Sequence, residues 1–257
     1  MEVHHHPDLH HKKSLKGYLL EFLMIFLAVT MGFFAESLRE HIANKAKEKE
    51  YIKSLISDLG NDIKTIDYQM PIFERSLAQL DSLIRMLKDP RVKEFGADIY
   101  YFGRQAAIPA VRFLINDRTL QQMKNSGDFR LIRNDNASSG IIAYYSNINL
   151  IEMMQILDIN LQNEYRRIAI DIFDPIVLAT YVNLENMENL EVPFATERPG
   201  GNPSLLTYDT KQLIRLAGMV AYIMGTRHAY VSNETRMRKK ALKLIELLKK
   251  EYHLNLK

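Results

Sequence analysis

The chain has 257 residues and no cysteine, and this absence excludes several classes of protein. A protein without thiols forms no disulfide, no iron–sulfur cluster, no cysteine-ligated metal site and no thiol nucleophile. Tryptophan is also absent, and glycine and proline are scarce, with 11 and 8 residues. Because these two residues mark the turns of turn-rich folds, their scarcity favours long helices over a β fold. A net charge of +3 argues against a dedicated nucleic-acid-binding protein.

A long apolar run is present at residues 18–38. As a helix, these 21 residues span roughly 31 Å, which matches the hydrocarbon core of a bilayer, about 30 Å thick. A cleaved signal peptide is the competing interpretation, but the run is longer than the apolar region of a typical signal peptide. Phe33, Phe34 and Glu36 also stand where a cleavage site needs small residues. The run therefore predicts an uncleaved signal-anchor helix that crosses the lipid bilayer once.

Basic residues flank both ends of this run, so the positive-inside rule gives no firm orientation. Lys12, Lys13 and Lys16 lie directly before the apolar residues, as in the basic region of a signal anchor. We therefore expect a single-pass protein of the inner (cytoplasmic) membrane with a cytoplasmic N-terminus. The bulk of the chain then lies in the periplasm, an oxidising compartment with which a protein that lacks cysteine is compatible.

Apolar residues after this run recur at alternating spacings of four and three over five heptads, which is the pattern of a coiled-coil seam. The row is Ile52, Ile56, Leu59, Ile63, Ile66, Met70, Phe73, Leu77, Leu80, Ile84 and Leu87. Its phase does not slip at Pro71, so we predict one long stalk or bundle helix over 39–88 with a kink at this proline.

Two further long helices are predicted. The first covers 137–174, and its expected inner face is Leu150, Met154, Leu157, Leu161, Tyr165, Ile168 and Ile172. The second covers 209–257, and its seam again alternates three and four, through Leu213, Leu216, Val220, Ile223, Arg227, Tyr230, Glu234, Met237, Ala241, Leu244 and Leu248. Between the helices we expect a cap at 89–136, with a short helix that ends at Gly127, and a loop at 175–208.

These elements define the predicted fold class. The chain is expected to be all-α, with a His/Lys-rich tail at 1–17 and a transmembrane helix at 18–38. This helix continues into an elongated antiparallel, coiled-coil-like helical bundle that carries a small mixed cap.

Three segments together resemble a known family. They read EFLMIFLAVTMGFFAESLRE from Glu21, KEYIKSLISDL from Lys49, and TLQQMKNSGDFRLIRND from Thr119 with IIAYYS shortly after it. They are similar to an uncharacterised bacterial family of single-pass inner-membrane helical proteins, classed as a domain of unknown function. The resemblance covers most of residues 15–170. It implies a helical membrane protein and supplies no activity and no site residue.

The N-terminal tail is the candidate metal site. It contains the histidines His4, His5, His6, His10 and His11. Neutral imidazoles bind zinc, copper and nickel well, and short His-rich tracts often bind metal for this reason. The alternative is a disordered tail without a physiological metal, because a short segment interrupted by Pro7 has no scaffold that fixes a coordination geometry.

Two helix faces are candidates for packing interactions. Ala28, Gly32 and Ala35 form a small-xxx-small face that would let two membrane anchors pack closely, although such spacing also arises by chance. Arg227 and Glu234 interrupt the seam of the last helix, and buried charges must be paired. We expect them to pair with Glu164, Arg166 or Arg167 of the middle helix, or else to form a ligand site between helices.

Motifs of the common enzyme classes are absent from the sequence: it has no HExxH, no glycine-rich phosphate loop, no G-x-S-x-G and no Rossmann fingerprint. We therefore expect a non-enzymatic, membrane-anchored interaction or scaffold protein without a cofactor. Its expected partners are the bilayer and a second copy or another membrane protein, and not nucleic acid. The alternative is an extracytoplasmic sensor of a ligand or a metal that acts through a partner.

Overall fold

The computed structural model describes residues 15–109, 113–180, 198 and 200–254, and within these ranges the chain forms helices and no strand. The all-α prediction is confirmed. The helices are α1 (Leu15–Lys88), α2 (Gly96–Ala106), α3 (Arg118–Ser126), α4 (Asp135–Tyr145), α5 (Ile148–Ala169), α6 (Pro175–Ala179) and α7 (Thr210–Glu251). Short 3-10 turns lie at Val92–Glu94 and Asp128–Leu131.

The chain divides into two compact units, residues 1–51 and 52–257. The first unit contains the N-terminal part of α1, which includes an 18-residue window of mean hydropathy 2.0 in which no residue is buried. In the part of the chain that the structure describes, α1 is the one helix long and apolar enough to cross a membrane.

The second unit is held together by α7, which packs antiparallel to α1. The ring of Phe73 stacks on that of Tyr230 at 5.8 Å between centroids, and Arg238 lies 2.6 Å from Asp67. All eleven predicted seam positions of α7 are buried. The predicted seam of α1 is buried or half-buried from Ile52 to Leu87. Hydrophobic periodicity therefore located these two faces correctly.

The prediction of a single helix over 137–174 is wrong, because the chain forms two helices there. α4 ends at Tyr145 and α5 begins at Ile148. The amide of Asn147 donates hydrogen bonds to the carbonyls of Ala143 (3.0 Å) and Tyr144 (2.7 Å). This side chain adds donors to the carbonyls of the last turn of α4, where the helix ends before α5 begins.

The inner face predicted for this region is correct at Tyr165, Ile168 and Ile172, which are buried, and half-buried at Leu150, Met154 and Leu161, but it is wrong at Leu157. Leu157, expected inside, is 52% exposed, whereas Asp158 and Gln162 are almost fully buried. The amide nitrogen of Gln162 donates to the backbone carbonyl of Ile108 at 2.9 Å. Because these polar groups find partners inside the bundle, α5 turns them inward and leaves part of its apolar side outside.

The chain returns along the bundle through residues 107–109 and 113–117, which lie within the predicted cap. We refer to these residues as the returning segment. Two amide side chains of α5 hold its backbone: Gln162 binds the carbonyl of Ile108, and Gln155 donates to the carbonyl of Phe113 at 3.3 Å. As a result α4 and α5 run in the same direction as α1, and α7 is antiparallel to both.

The main apolar cluster lies where α2 packs between α1, α5 and the start of α7. The hydroxyl of Tyr165 donates to the carbonyl of Gly103 at 2.8 Å, and the ring of Phe173 occupies the space that a side chain at Gly103 would need. The hydroxyl of Tyr100 donates to the carbonyl of Ser204 at 3.0 Å. These contacts fix α2, from which the returning segment begins.

Candidate functional site

A concave site lies in a groove between α3 and the junction of α4 with α5. Its volume is about 700 Å³, which is within the usual range of ligand-binding sites. One wall is formed by Asp117, Leu120, Gln121, Met123, Lys124, Gly127 and Phe129. The other wall is formed by Ile142, Tyr145, Ser146, Ile148, Asn149 and Glu152. We refer to this set of residues as the groove.

Asp58 of α1 fixes the position of α3. Its carboxylate accepts hydrogen bonds from the backbone N–H of Thr119 (3.1 Å), from the hydroxyl of Thr119 and from Arg118 (3.0 Å). Asp117, at the N-cap position of α3, makes no capping hydrogen bond with its own side chain. A carboxylate of another helix therefore supplies the acceptor that the first turn of α3 needs.

Asp62, one turn further along α1, holds the returning segment and α4. It accepts hydrogen bonds from the backbone N–H of Asn116 (2.8 Å) and from the hydroxyl of Tyr144 (2.7 Å). Burial raises the pKa of Asp62 to about 6, although both hydrogen bonds act to lower it. Tyr145, which lines the groove, donates to the carbonyl of Asn116 at 3.2 Å. The wall of the groove is thus tied to two buried carboxylates.

The sequence analysis missed Asp58 and Asp62. Charged residues beside an apolar seam are normally assigned to the solvent, and no local pattern shows that Thr119 and Asn116 return to meet them. A signal was present, since each aspartate directly precedes a seam position, Leu59 or Ile63, and the two are spaced four residues apart. This spacing places both on one helix face at the edge of the seam.

Tyr144→Phe is expected to lower the free energy of unfolding by about 1.5–3 kcal/mol at pH 8, because it removes a hydrogen bond to an ionised carboxylate. At pH 4.5 the loss shrinks to about 1 kcal/mol, since Asp62 is then protonated. The folded-state pKa of Asp62, about 6, lies above its ordinary 3.8. The folded state therefore keeps this proton longer than the unfolded chain, and wild-type stability falls as the pH rises through about 6.

Urea unfolding of the detergent-solubilised chain, followed by far-UV circular dichroism at both pH values, measures this difference. Tyr68→Phe is the matched control, because Tyr68 is an exposed tyrosine of α1 and its hydroxyl loss is expected to change stability little. An equal loss for Tyr144→Phe at pH 8 and pH 4.5 would contradict the assignment of Asp62 as an ionised acceptor.

A second polar layer lies inside the bundle around Arg227 of α7, which is 3% exposed. Its guanidinium donates to the hydroxyl of Ser76 and, at 2.9 Å, to the carbonyl of Ile108. Burial lowers the pKa of Arg227, and the nearby carboxylate of Asp158 raises it. Asp158 in turn accepts from Gln162 at 3.3 Å. This polar layer joins α1, α5, α7 and the returning segment.

The partners that the sequence analysis expected for Arg227 and Glu234 differ from those observed. Glu164 pairs with Arg167 on the same exposed helix face at 2.8 Å, and Arg166 donates to the carbonyl of Ala107. These three residues of α5 are exposed, so they do not meet the seam of α7. Arg227 donates instead to the hydroxyl of Ser76 and the carbonyl of Ile108.

Glu234 is 1% exposed, and neither oxygen of its carboxyl group has a hydrogen-bond partner among the residues that the structure describes. Burial raises the pKa of Glu234 to about 8. The register set by Phe73 against Tyr230 places Gln69 of α1 at the level of Glu234. Gln69 is also buried, so this level of the bundle is polar on both helices.

The other predicted site residues stay predictions. Ala28, Gly32 and Ala35 are exposed on α1, and no heavy atom would meet a side chain added at Gly32. The expected metal ligands, His4, His5, His6, His10 and His11, lie outside the described residues. Within the described ranges no group of three His, Asp or Glu side chains could hold a metal ion.

Comparison of the chain with models of known protein families, with curated proteins and with solved structures finds no match in any of the three. The resemblance to an uncharacterised membrane family therefore stays a prediction. The structure contains a groove whose walls are held by hydrogen bonds to the buried carboxylates of Asp58 and Asp62, and a groove of this kind can bind a ligand or a partner.

Proposed function

We propose that the chain is a non-enzymatic, membrane-anchored interaction protein. One observation carries the proposal: the apolar window of α1 has mean hydropathy 2.0 and none of its residues is buried within the described structure. A surface of this size and hydrophobicity is costly in water and stable in lipid. The helical unit that follows supplies the surface for a partner protein, since it carries an open groove.

The proposal includes a location. The anchor lies in the inner membrane with its N-terminus in the cytoplasm, and the second unit lies in the periplasm. Lys12, Lys13 and Lys16 support this orientation, because basic residues before an apolar run are retained on the cytoplasmic side. A periplasmic alkaline phosphatase reporter and a cytoplasmic fluorescent reporter, each fused after Lys257, distinguish the two orientations.

Alkaline carbonate extraction of membranes from expressing cells tests the anchor. The full chain is expected in the membrane pellet. Phe26→Asp with Val29→Asp places two carboxylates near the centre of the span, at a cost of about 3 kcal/mol each, and is expected to release the protein from the membrane. Ile42→Asp, which lies outside the run, is the matched control and leaves the protein in the pellet. Recovery of the unmodified chain in the soluble fraction would refute the proposal.

A further inference from the structure

The two walls of the groove share one spacing of lining residues. Along α3 and its two flanking residues, positions 117, 120, 121, 124 and 127 follow the spacing i, i+3, i+4, i+7, i+10. On the opposite wall positions 142, 145, 146, 149 and 152 follow the same spacing across the break between α4 and α5. The row along α3 covers about three helical turns, or roughly 15 Å. Two such rows side by side form the kind of groove into which the ridge of a third helix packs.

The floor of the groove is apolar. Leu120 and Met123 are buried beneath it, and Phe129 and Ile148 are half-buried at its sides. Ile142, on the wall formed by α4, leaves 56% of its surface exposed. An occupant that covers these groups must therefore present apolar side chains to them.

The charge of the groove determines whether a cationic or an anionic occupant is favoured. Of the ionisable side chains on its rim, Asp117 and Glu152 are acidic and Lys124 is basic. Behind the wall, the carboxylate of Asp62 adds to that of Asp117, whereas that of Asp58 is paired with Arg118. Burial raises the pKa of the Tyr145 hydroxyl most, and the three carboxylates raise it further. The potential at the wall of the groove is therefore negative, and it favours a cationic partner.

We infer that the groove binds a basic amphipathic helix of a partner protein, with lysine or arginine side chains beside Asp117 and Glu152. Apolar residues of that helix at i, i+3, i+4 and i+7 occupy the floor between α3 and the α4–α5 junction. The inference rests on the proposed function and names the chemistry of the partner.

Fluorescence anisotropy with the full chain in phosphatidylcholine nanodiscs tests the inference. The probes are two labelled synthetic helical peptides with the same leucine face, one with lysine and the other with glutamate on its flanks. Empty nanodiscs give the background of lipid binding. The lysine peptide is expected to bind the protein-loaded discs at least roughly tenfold more tightly than the glutamate peptide.

The variant Asp117→Asn with Glu152→Gln is expected to weaken binding of the lysine peptide roughly three- to tenfold, as the loss of two exposed ion pairs. Glu74→Gln with Asp171→Asn removes the same charge from exposed positions outside the groove and is expected to leave the affinity unchanged. Ile142→Lys, an exposed position that tolerates substitution, adds a like charge to the apolar wall and is expected to abolish binding.

Equal affinity for the two peptides, an unchanged affinity in the groove variants, or binding no stronger than to empty nanodiscs would each overturn the inference. None of these results affects the carbonate extraction, which tests the membrane anchor alone. Failure of the groove and failure of the proposed function are therefore distinguishable.

Discussion

Arg227→Met is expected to lower the free energy of unfolding by about 3–5 kcal/mol. The substitution keeps an unbranched side chain of similar length but removes the cation from a buried layer. Asp158 then keeps its carboxylate inside the bundle without the guanidinium that balances its charge, and the hydroxyl of Ser76 and the carbonyl of Ile108 each lose a donor. Urea unfolding of the full chain in detergent, at pH 7, measures the loss.

The same substitution at Arg238 is the control for this prediction. Arg238 lies on the same helix, and its ion pair with Asp67 is exposed to solvent, so the expected loss is much smaller than for Arg227. The double variant with Arg227→Met and Asp158→Asn no longer carries the carboxylate that Arg227 balanced. Its free energy of unfolding is expected to exceed that of Arg227→Met by at least about 1 kcal/mol. No recovery in the double variant would mean that Asp158 and Arg227 are not coupled.

Glu234→Gln is expected to stabilise the protein at pH 8 to 9, by about 2–5 kcal/mol, and to have little effect at pH 4.5. Burial raises the pKa of Glu234 from its ordinary 4.5 to about 8. At a pH between these two pKa values, Glu234 is protonated in the folded protein and ionised in the unfolded chain. The raised pKa of Glu234 therefore makes wild-type stability decrease as the pH rises from 4.5 through about 8. The glutamine variant removes the decrease above about pH 6 and leaves the smaller decrease that Asp62 causes below it.

Urea midpoints measured every half pH unit from 4.5 to 9 give the two profiles. Glu246→Gln, an exposed position on α7, is the matched control and is expected to leave the wild-type slope unchanged. If Glu234→Gln showed the same pH dependence as the wild type, a different group would be responsible for the decrease.

The sequence predicts the helix faces well wherever burial coincides with apolar side chains. The seam of α7 is buried at every predicted position, even at Arg227 and Glu234, because the surrounding residues determine the phase of the helix. The end of α3 is also predicted correctly. Gly127 has φ of 71°, a left-handed conformation that glycine adopts at little cost after the last turn of a helix.

The sequence does not predict which polar residues turn inward. Asp158 and Gln162 are buried because Arg227 and the carbonyl of Ile108 lie opposite them, and those groups come from distant parts of the chain. The groove was missed for the same reason. It depends on the pairing of Asp58 with Thr119, which are 61 residues apart, and no local periodicity records such a pairing.

The antiparallel placement of α7 against both α1 and α5 has a consequence for biosynthesis. Because α1 and α5 run in parallel, neither α1 nor the α4–α5 region can complete its core as a local helical hairpin with its neighbour in the chain. Their buried faces stay uncovered until α7, the final helix of the described chain, has left the ribosome. During synthesis the apolar faces of α1 and of the α4–α5 region are therefore exposed to solvent. Premature termination before residue 210 would leave a product prone to aggregation and proteolysis.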